Sequence, residues 1–427
     1  MKHKNMLLVS LLMASLVLLG GCQSRTLTTQ DPEPTVGESV VEPDPEPVQP
    51  VEQEPQIPDD APGFYTTRQE MNGWEVFTLS TAQDLIDLSD WVQGGEDTAG
   101  RIFVLEDNID LGGVDFVPIG TRENPFRGAF LGRGYSITGL SVTVPDYGAS
   151  AGLFGHLSYA TVDSLQVSGT VTACHWAGGL VGYAEGSTIE NCSFTGSVNG
   201  VLSDIGGLCG AAYATEFYSC TADADVTGQE SLGGFAGTLG QDSLVQNCAA
   251  LGTVSAAGRE HWLEEYGLPE PDWGTQPDTE IMVRYIGGFA GMNIGTLENC
   301  LSMGAVKTLE VAKSAGGFVG YESGSDTGCY YFMDYNAHLE PGYAVGDYAS
   351  LTAQGLYYDR MASRSSFAGW DFDAVWQMGE RHPELMAQSP LTAQMVAGVP
   401  DPTAGLEGES TTPDENESAE SENTEVG

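Results

Sequence analysis

Through the middle of the chain, apolar residues stand singly or in pairs between glycines and small polar residues, and the arrangement repeats. The block Gly-Gly-apolar-x-Gly appears as Gly178-Gly179-Leu180-Val181-Gly182, Gly206-Gly207-Leu208-Cys209-Gly210 and Gly233-Gly234-Phe235-Ala236-Gly237. It returns as Gly287-Gly288-Phe289-Ala290-Gly291 and Gly316-Gly317-Phe318-Val319-Gly320, with a shortened first copy at Gly152-Leu153-Phe154-Gly155. Copies follow in steps of 27, 28, 27, 54 and 29 residues, so one unit of about 27 residues is stacked, with one insertion. A fixed period of this size marks an array whose units cannot bury a core alone.

Residues 178 to 199, GGLVGYAEGSTIENCSFTGSVN, show the unit. After the glycine block and a polar turn, Ile189 stands between polar neighbours, and Val198 follows two residues after Gly196. The same pair of apolar positions recurs as Val162 and Val171, Phe217 and Val226, Val245 and Val254, and Leu297 and Val306. The glycine is kept as Gly169, Gly252 and Gly304 and becomes Ala224 in one unit. Short alternating runs punctuated by glycine predict strands with one buried face, and helical spacing is absent. The expected fold is all-β, a parallel β-helix (solenoid) of seven to nine coils, with a propeller as the alternative.

Open ends of a solenoid expose sheet edges and need caps. Residues 80 to 93, STAQDLIDLSDWVQ, predict a short N-terminal capping helix, with Thr81 as N-cap, Asp84 three residues on, and Leu85, Leu88 and Val92 on one face beside Trp91. After the last repeat, Phe367, Trp370, Phe372 and Trp376 with Pro383-Glu384-Leu385 predict an aromatic C-terminal cap.

These residues resemble the GLUG repeat family, named for its Gly-Leu-apolar-Gly core. The resemblance rests on six copies of the core and on the apolar-x-Asn-Cys element that follows it. It extends to the lead-in Asn108-Ile109-Asp110-Leu111, Pro118-Ile119-Gly120, Phe126-Arg127-Gly128-Ala129-Phe130 and Gly134-Tyr135-Ser136-Ile137, and spans about residues 74 to 385. It implies a bacterial cell-surface protein. The repeat also occurs in zinc metalloproteases that cleave immunoglobulin A. Such a protease needs His-Glu-x-x-His on a helix to bind zinc and activate water. The histidines here are His3, His156, His175, His261, His338 and His382, and none forms that motif.

The ends of the chain indicate where it resides. Lys2 and Lys4 precede an apolar run from Met6 to Leu19 and then Leu19-Gly20-Gly21-Cys22, the order of a secretory signal. The Leu-Gly-Gly-Cys block resembles the lipobox of bacterial lipoproteins, which implies cleavage before Cys22 and a lipid on its thiol and amine. The expected organisation is a signal peptide over 1–21, an acidic Pro-rich tether over 22–62, an N-terminal cap and first coils over 63–145, and the repeat solenoid over 146–335 with its insertion at 258–283. A C-terminal coil and cap over 336–399 and an acidic tail over 400–427 complete it. Tether and tail are too rich in acids and Pro to bury a core. The expected location is extracytoplasmic, lipid-anchored to the cell membrane. A net charge of −45 with only 15 Lys and Arg leaves no basic patch and argues against nucleic acid as a partner.

Cys192, Cys220, Cys248 and Cys300 occupy one position in successive units. Stacked coils lie about 4.8 Å apart, wider than the preferred disulfide Cβ separation of about 3.8 Å, so these cysteines read as a column of buried thiols. No Cys-x-x-Cys or paired His accompanies them, and neither metal nor cofactor is expected.

Chemistry has few places to reside. Asp223 and Asp225 project together from one predicted strand, but the equivalent residues in neighbouring units are Thr195 and Ser197, or Leu251 and Thr253, so no acidic cluster is assembled. Gly148-Ala149-Ser150-Ala151-Gly152 matches Gly-x-Ser-x-Gly, yet a repeat core follows where a nucleophile needs a helix. The insertion is the better candidate, because loops interrupting solenoids often bind. It and its exit carry His261, Trp262, Tyr266, Trp273 and Tyr285, aromatics suited to sugar rings or a protein partner, or to covering the solenoid where the loop folds back over a groove. The favoured reading is a non-catalytic adhesion or ligand-binding scaffold whose partner is a glycan or surface protein. The alternatives are a β-helix polysaccharide lyase or glycoside hydrolase, and a structural spacer without ligand.

Overall fold

The computed structural model describes residues 61–112, 114–257, 284–309, 313–342 and 351–397. The segments expected as signal peptide, insertion and tail lie outside them, as does the tether apart from Ala61 and Pro62. Cys22, His261, Trp262, Tyr266 and Trp273 are likewise outside, whereas Tyr285 is within.

One coil passes through four parallel sheets in turn: Ala177–Gly178 in sheet 1, Val181–Glu185 in sheet 2, Thr188–Glu190 in sheet 3 and Ser193–Gly200 in sheet 4. The chain then re-enters sheet 1 at Ser203–Gly206, directly beside its starting strand. In the repeat coils register follows the sequence period, with Gly178 against Gly206, Val181 against Cys209, Ile189 against Phe217 and Val198 against Val226, while the lead-in strand shifts register between Ile137 and Leu140. Sheet 3 holds nine such parallel strands, from Trp74–Leu79 to Ser325–Thr327, and an antiparallel Gln69–Met71 precedes them. The fold is a parallel β-solenoid, as the periodicity predicts.

The glycine block makes its corner possible by close approach. A Cβ on Gly178 would lie 2.3 Å from the Val181 carbonyl oxygen, and one on Gly182 would lie 2.5 Å from the Ala151 nitrogen. The residues between them turn inward: Leu180, Leu208, Phe235, Phe289 and Phe318 are fully buried. Phe235 stacks on Phe289 at 4.9 Å and Phe289 on Phe318 at 5.2 Å. On sheet 3 the buried column Val162, Ile189, Phe217, Val245 and Leu297 runs in register through the coils.

The Asn-Cys and Ser-Cys pairs form the corner between sheets 3 and 4. Asn191, Ser219, Asn247 and Asn299 all have φ between 52° and 56°, a left-handed conformation that a short polar side chain tolerates best. Each following cysteine turns into the core, and Cys329 extends the column. All seven cysteines of the described residues are unbridged. The Cys192 thiol donates to the Glu190 carbonyl at 3.0 Å and that of Cys220 to Tyr218 at 3.3 Å. Burial pushes the thiols of Cys192, Cys220 and Cys329 well above the usual range, so they serve packing and not nucleophilic chemistry.

Helix α1 (Ala82–Gln93) closes the N-terminal end. Its capping box is complete, with the Asp84 amide donating to Thr81 Oγ1 at 3.2 Å and the Thr81 amide to Asp84 Oδ2 at 2.9 Å. Leu85, Leu88 and Val92 are fully buried, and Trp91 packs edge-on against Phe64, Phe77 and Phe103.

The C-terminal aromatics depart from expectation. They do not cover the open end. Phe367, Trp370 and Trp376 pack on the outer flank of sheet 4, against Ala249, Leu301 and Tyr330. The end is closed by the preceding segment, where Gly317 and Phe318 donate to the Glu340 and Pro341 carbonyls, and Tyr331 and Ala353 complete the core. The reason is connectivity: the chain must still return along the solenoid. Trp376 Nε1 donates to Asn247, the Leu391 amide donates to the buried Asp163 at 2.8 Å, and Ala397 packs with Trp74, Ile102 and Leu131 of the first coils. Residues 367–397 are a strap, not a lid.

Candidate binding face

The corner entering sheet 1 is left-handed in each coil where the repeat is complete. Trp176, Asp204, Ser231, Tyr285 and Ser314 have φ of 45°, 62°, 50°, 61° and 61°, each just before the register row Ala177, Ile205, Leu232, Ile286 and Ala315. Small polar residues accept this conformation readily. A bulky aromatic there stores on the order of 1–3 kcal/mol of strain, and the chain does so twice, at Trp176 and Tyr285. Both are half-buried.

Each of these rings is backed by the residue before it. His175 lies 4.0 Å from Trp176 between ring centroids, and the Arg284 guanidinium sits 4.9 Å over the Tyr285 ring. Arg284 is held by Glu230 at 2.6 Å, and Tyr321 meets Tyr285 edge-on at 5.1 Å.

Between the two rings lies a polar network crossing three coils. His175 Nε2 is 2.6 Å from Ser203 Oγ and 3.2 Å from Asp204 Oδ2, and Ser203 Oγ donates to the same carboxylate oxygen at 2.7 Å. The buried Thr238 hydroxyl donates to Asp204 Oδ1. These residue types are those of a serine hydrolase, but the arrangement is not. A catalytic triad needs carboxylate and hydroxyl on opposite imidazole nitrogens; here both meet Nε2, and the serine proton is committed to Asp204.

Beside this row, on sheet 2, His156, Tyr183 and Tyr213 form a ladder with centroid spacings of 4.6 and 5.7 Å and interplanar angles of 23° and 26°. Stacked so, the rings spend their faces on one another. Burial, aided by Glu185, pushes the Tyr183 hydroxyl up to about 12, and burial lowers the His156 imidazole below its ordinary value, so both are neutral near pH 7. Beyond His156 the surface opens into a cavity of about 320 Å³ lined by Pro118, Arg122, Glu123, Pro145 and Ser150. A larger cavity of about 610 Å³ sits at the N-terminal cap, where Arg101 covers Trp91.

Of the sequence-predicted ligand residues, Tyr285 lies on this face, just after the insertion returns to the solenoid. Asp223 and Asp225 are exposed on sheet 4 opposite Thr195 and Ser197, with Asp225 accepting from the Thr253 amide at 3.0 Å. Ser150 is followed by strand Phe154–Ser158 and not by a helix. Sequence reasoning missed His175, Trp176 and Asp204. The available signal was repeat position: Trp176 and Tyr285 both stand two residues before a Gly-Gly pair, where the other units carry Asp204, Ser231 and Ser314.

Comparison with known proteins agrees with the repeat and the fold. The GLUG motif family matches residues 176–199 and 228–255. Halomucin of Haloquadratum walsbyi is 34% identical over 155 residues, a match covering 34% of this chain and only 2% of that protein. The crystal structure of a candidate immunoglobulin A1 protease from Bacteroides ovatus superposes with a TM-score of 0.53 at 17% identity, covering 74% of this chain and 94% of that one. At that identity the likeness is one of fold. The chain is a parallel β-solenoid built on repeats that carry the GLUG motif.

Proposed function

We propose that the protein is a lipoprotein held at the outer side of a cell membrane through Cys22, and that its solenoid binds a glycan or a surface protein without acting on it chemically. The observation that carries the binding part is the pair of strained aromatics, Trp176 and Tyr285, on one face of a rigid repeat scaffold. Solenoids offer such extended surfaces for recognition, and strain retained in a fold is a mark of function. The lipobox and the acidic, Pro-rich segment after it support the anchoring.

A glycan-active enzyme is the second reading, and the His175–Asp204 contact favours it. Against it, Asp204 accepts from the Ser203 and Thr238 hydroxyls and Glu230, the other carboxylate near this row, is paired with Arg284, whereas a glycosidase needs one carboxyl as acid and a second as base or nucleophile. Zinc-protease chemistry of the His-Glu-x-x-His type is not supported, since the 427 residues do not contain that motif.

The test is to screen the full chain on glycan and mucin arrays, with turnover of each bound glycan followed by released reducing ends. Binding without turnover is expected. Turnover abolished by His175→Ala would replace this reading with the enzyme, and an array without a reproducible hit would leave only a spacer. The same preparation carrying Cys22→Ala should leave the membrane fraction; if it stays, the anchor lies elsewhere.

A further inference from the structure

We propose that the corner row from Trp176 to Tyr285 is a groove for a neutral or amine-bearing glycan chain running along the solenoid axis, with those two rings as its end platforms. This rests on the ligand-binding reading above and narrows it to one chemical class and one row of residues.

The left-handed corner supplies the first argument. Five coils share it, and three fill it with Asp204, Ser231 or Ser314. Packing therefore requires no aromatic there, yet two coils keep one. Each is stiffened by its preceding residue, His175 or Arg284, so it is presented as a fixed surface. Fixed aromatic faces suit sugar rings, whose C–H bonds lie against the ring at little entropic cost.

Spacing supplies the second. Trp176 and Tyr285 are three coil steps apart, about 14 Å at the inter-strand distance, a span for a short oligosaccharide and too long for one monosaccharide. Between them the row holds Asp204, partly exposed, and Ser231, buried, and in the adjoining row the buried Ala211 keeps the floor low between Tyr183 and Thr238. Asp204 is oriented by His175, Ser203 and Thr238. A carboxylate offers roughly four acceptor sites, and the Ser203 and Thr238 hydroxyls take two of them, so acceptor capacity remains for a sugar hydroxyl or ammonium donor. The row continues past Trp176 to Ser150 and the cavity at Arg122 and Glu123, which gives the chain an exit.

Charge supplies the third. Arg284 and Glu230 neutralise each other, which leaves Asp204 as the net charge of the row, and the whole protein carries −45. A uronate or sulfated chain would meet repulsion at Asp204 and from the protein's net charge. A neutral chain would not, and an amino sugar would be attracted.

The full chain in detergent is titrated with a soluble neutral β-glucan, with chitosan oligosaccharides and with heparin, by calorimetry and tryptophan fluorescence. Binding is expected to at least one of the first two and not to heparin. Trp176→Asn and Tyr285→Asn should each weaken it about tenfold while holding or raising the melting temperature, because Asn tolerates the left-handed corner. Lowered melting temperatures with unchanged affinity would assign the rings to packing and overturn the proposal, leaving a binding solenoid whose site is elsewhere. Preference for heparin would overturn the ligand class. A wild type that binds none of the three overturns the inference, and a reproducible hit elsewhere on the glycan and mucin arrays then preserves the broader reading.

Discussion

Glu322 and Asp326 stand in columns that every earlier coil fills with apolar or amide side chains. Asp326 follows Val162, Ile189, Phe217, Val245 and Leu297, and Glu322 follows Leu157, Ala184, Ala212, Leu239 and Asn293. Both are buried. Asn293 Nδ2 donates to both Glu322 oxygens at 2.9 and 3.0 Å, the Gly324 amide adds a third bond, and Thr352 holds Asp326 through its amide and hydroxyl. Burial, reinforced by the Asp326 charge, pushes the Glu322 carboxyl up to about 8, and burial raises Asp326 as well. A carboxyl raised on folding stabilises in its protonated form: its contribution is complete below about pH 4.5 and is lost as pH rises through about 8. The melting temperature should therefore fall between pH 5 and about pH 9, and Glu322→Gln should flatten that fall. A slope unchanged in the variant would refute the assignment. The repeat as read in the sequence stops at Leu297 and Val306, one coil short of Asp326, and the column of Glu322 lies outside the apolar pair that marks each unit.

Among elements, helix α1 is the one whose boundaries and buried face the sequence predicts closely. Its signals are local: the Thr81 and Asp84 cap and the 3.6-residue spacing of Leu85, Leu88 and Val92 depend on no distant contact. Thr81→Ala removes the acceptor for the Asp84 amide and should cost about 1 kcal/mol, seen as a small drop in melting temperature. Because α1 covers the core at its first coil, exchange protection of Phe77 and Phe103 should fall with it. A variant as stable as wild type would mean that packing alone fixes the helix. The Gly-Gly corners are legible for a different reason. Three glycines per turn at a constant period suit a chain that must stack its own backbone, and a Cβ there meets main chain, or at Gly179 and Gly317 the rings of Phe194 and Tyr331, within about 2.5 Å.

At the scale of the molecule, the strap is the feature that local pattern conceals. Residues 367–397 carry their aromatics to the flank of sheet 4, then pass Asp163 and end on the outer face of the first coils, where Trp74, Val76, Ile102 and Val104 are covered. The strap thus joins the late coils to the early ones across the outside of sheet 3. Ending the chain at Met386 would uncover that apolar face and leave Asp163 without its donor from Leu391. The melting temperature should drop by roughly 5–10 °C, with hydrogen exchange rising in Ile102–Leu131, far from the deletion in sequence. Exchange that rises only near residue 376 would show that the strap carries no long-range stability.

By itself the sequence determined the all-β solenoid, its period, the inward columns, the cysteine corner and the N-terminal helix. Each is written as a repeat or a local cap, and stacking identical units converts sequence distance into spatial adjacency with no further information. Tertiary structure alone decided three matters. It turned the aromatic C-terminal segment from a lid into a strap, because the path of a non-repeating chain depends on the surface it finds. It brought His175, Ser203, Asp204 and Thr238 together from three coils, because neighbours across coils are set by register and not by proximity in the chain. It also placed Trp176 and Tyr285 in one strained column, a relation carried by backbone dihedral angle, which hydrophobic pattern does not encode.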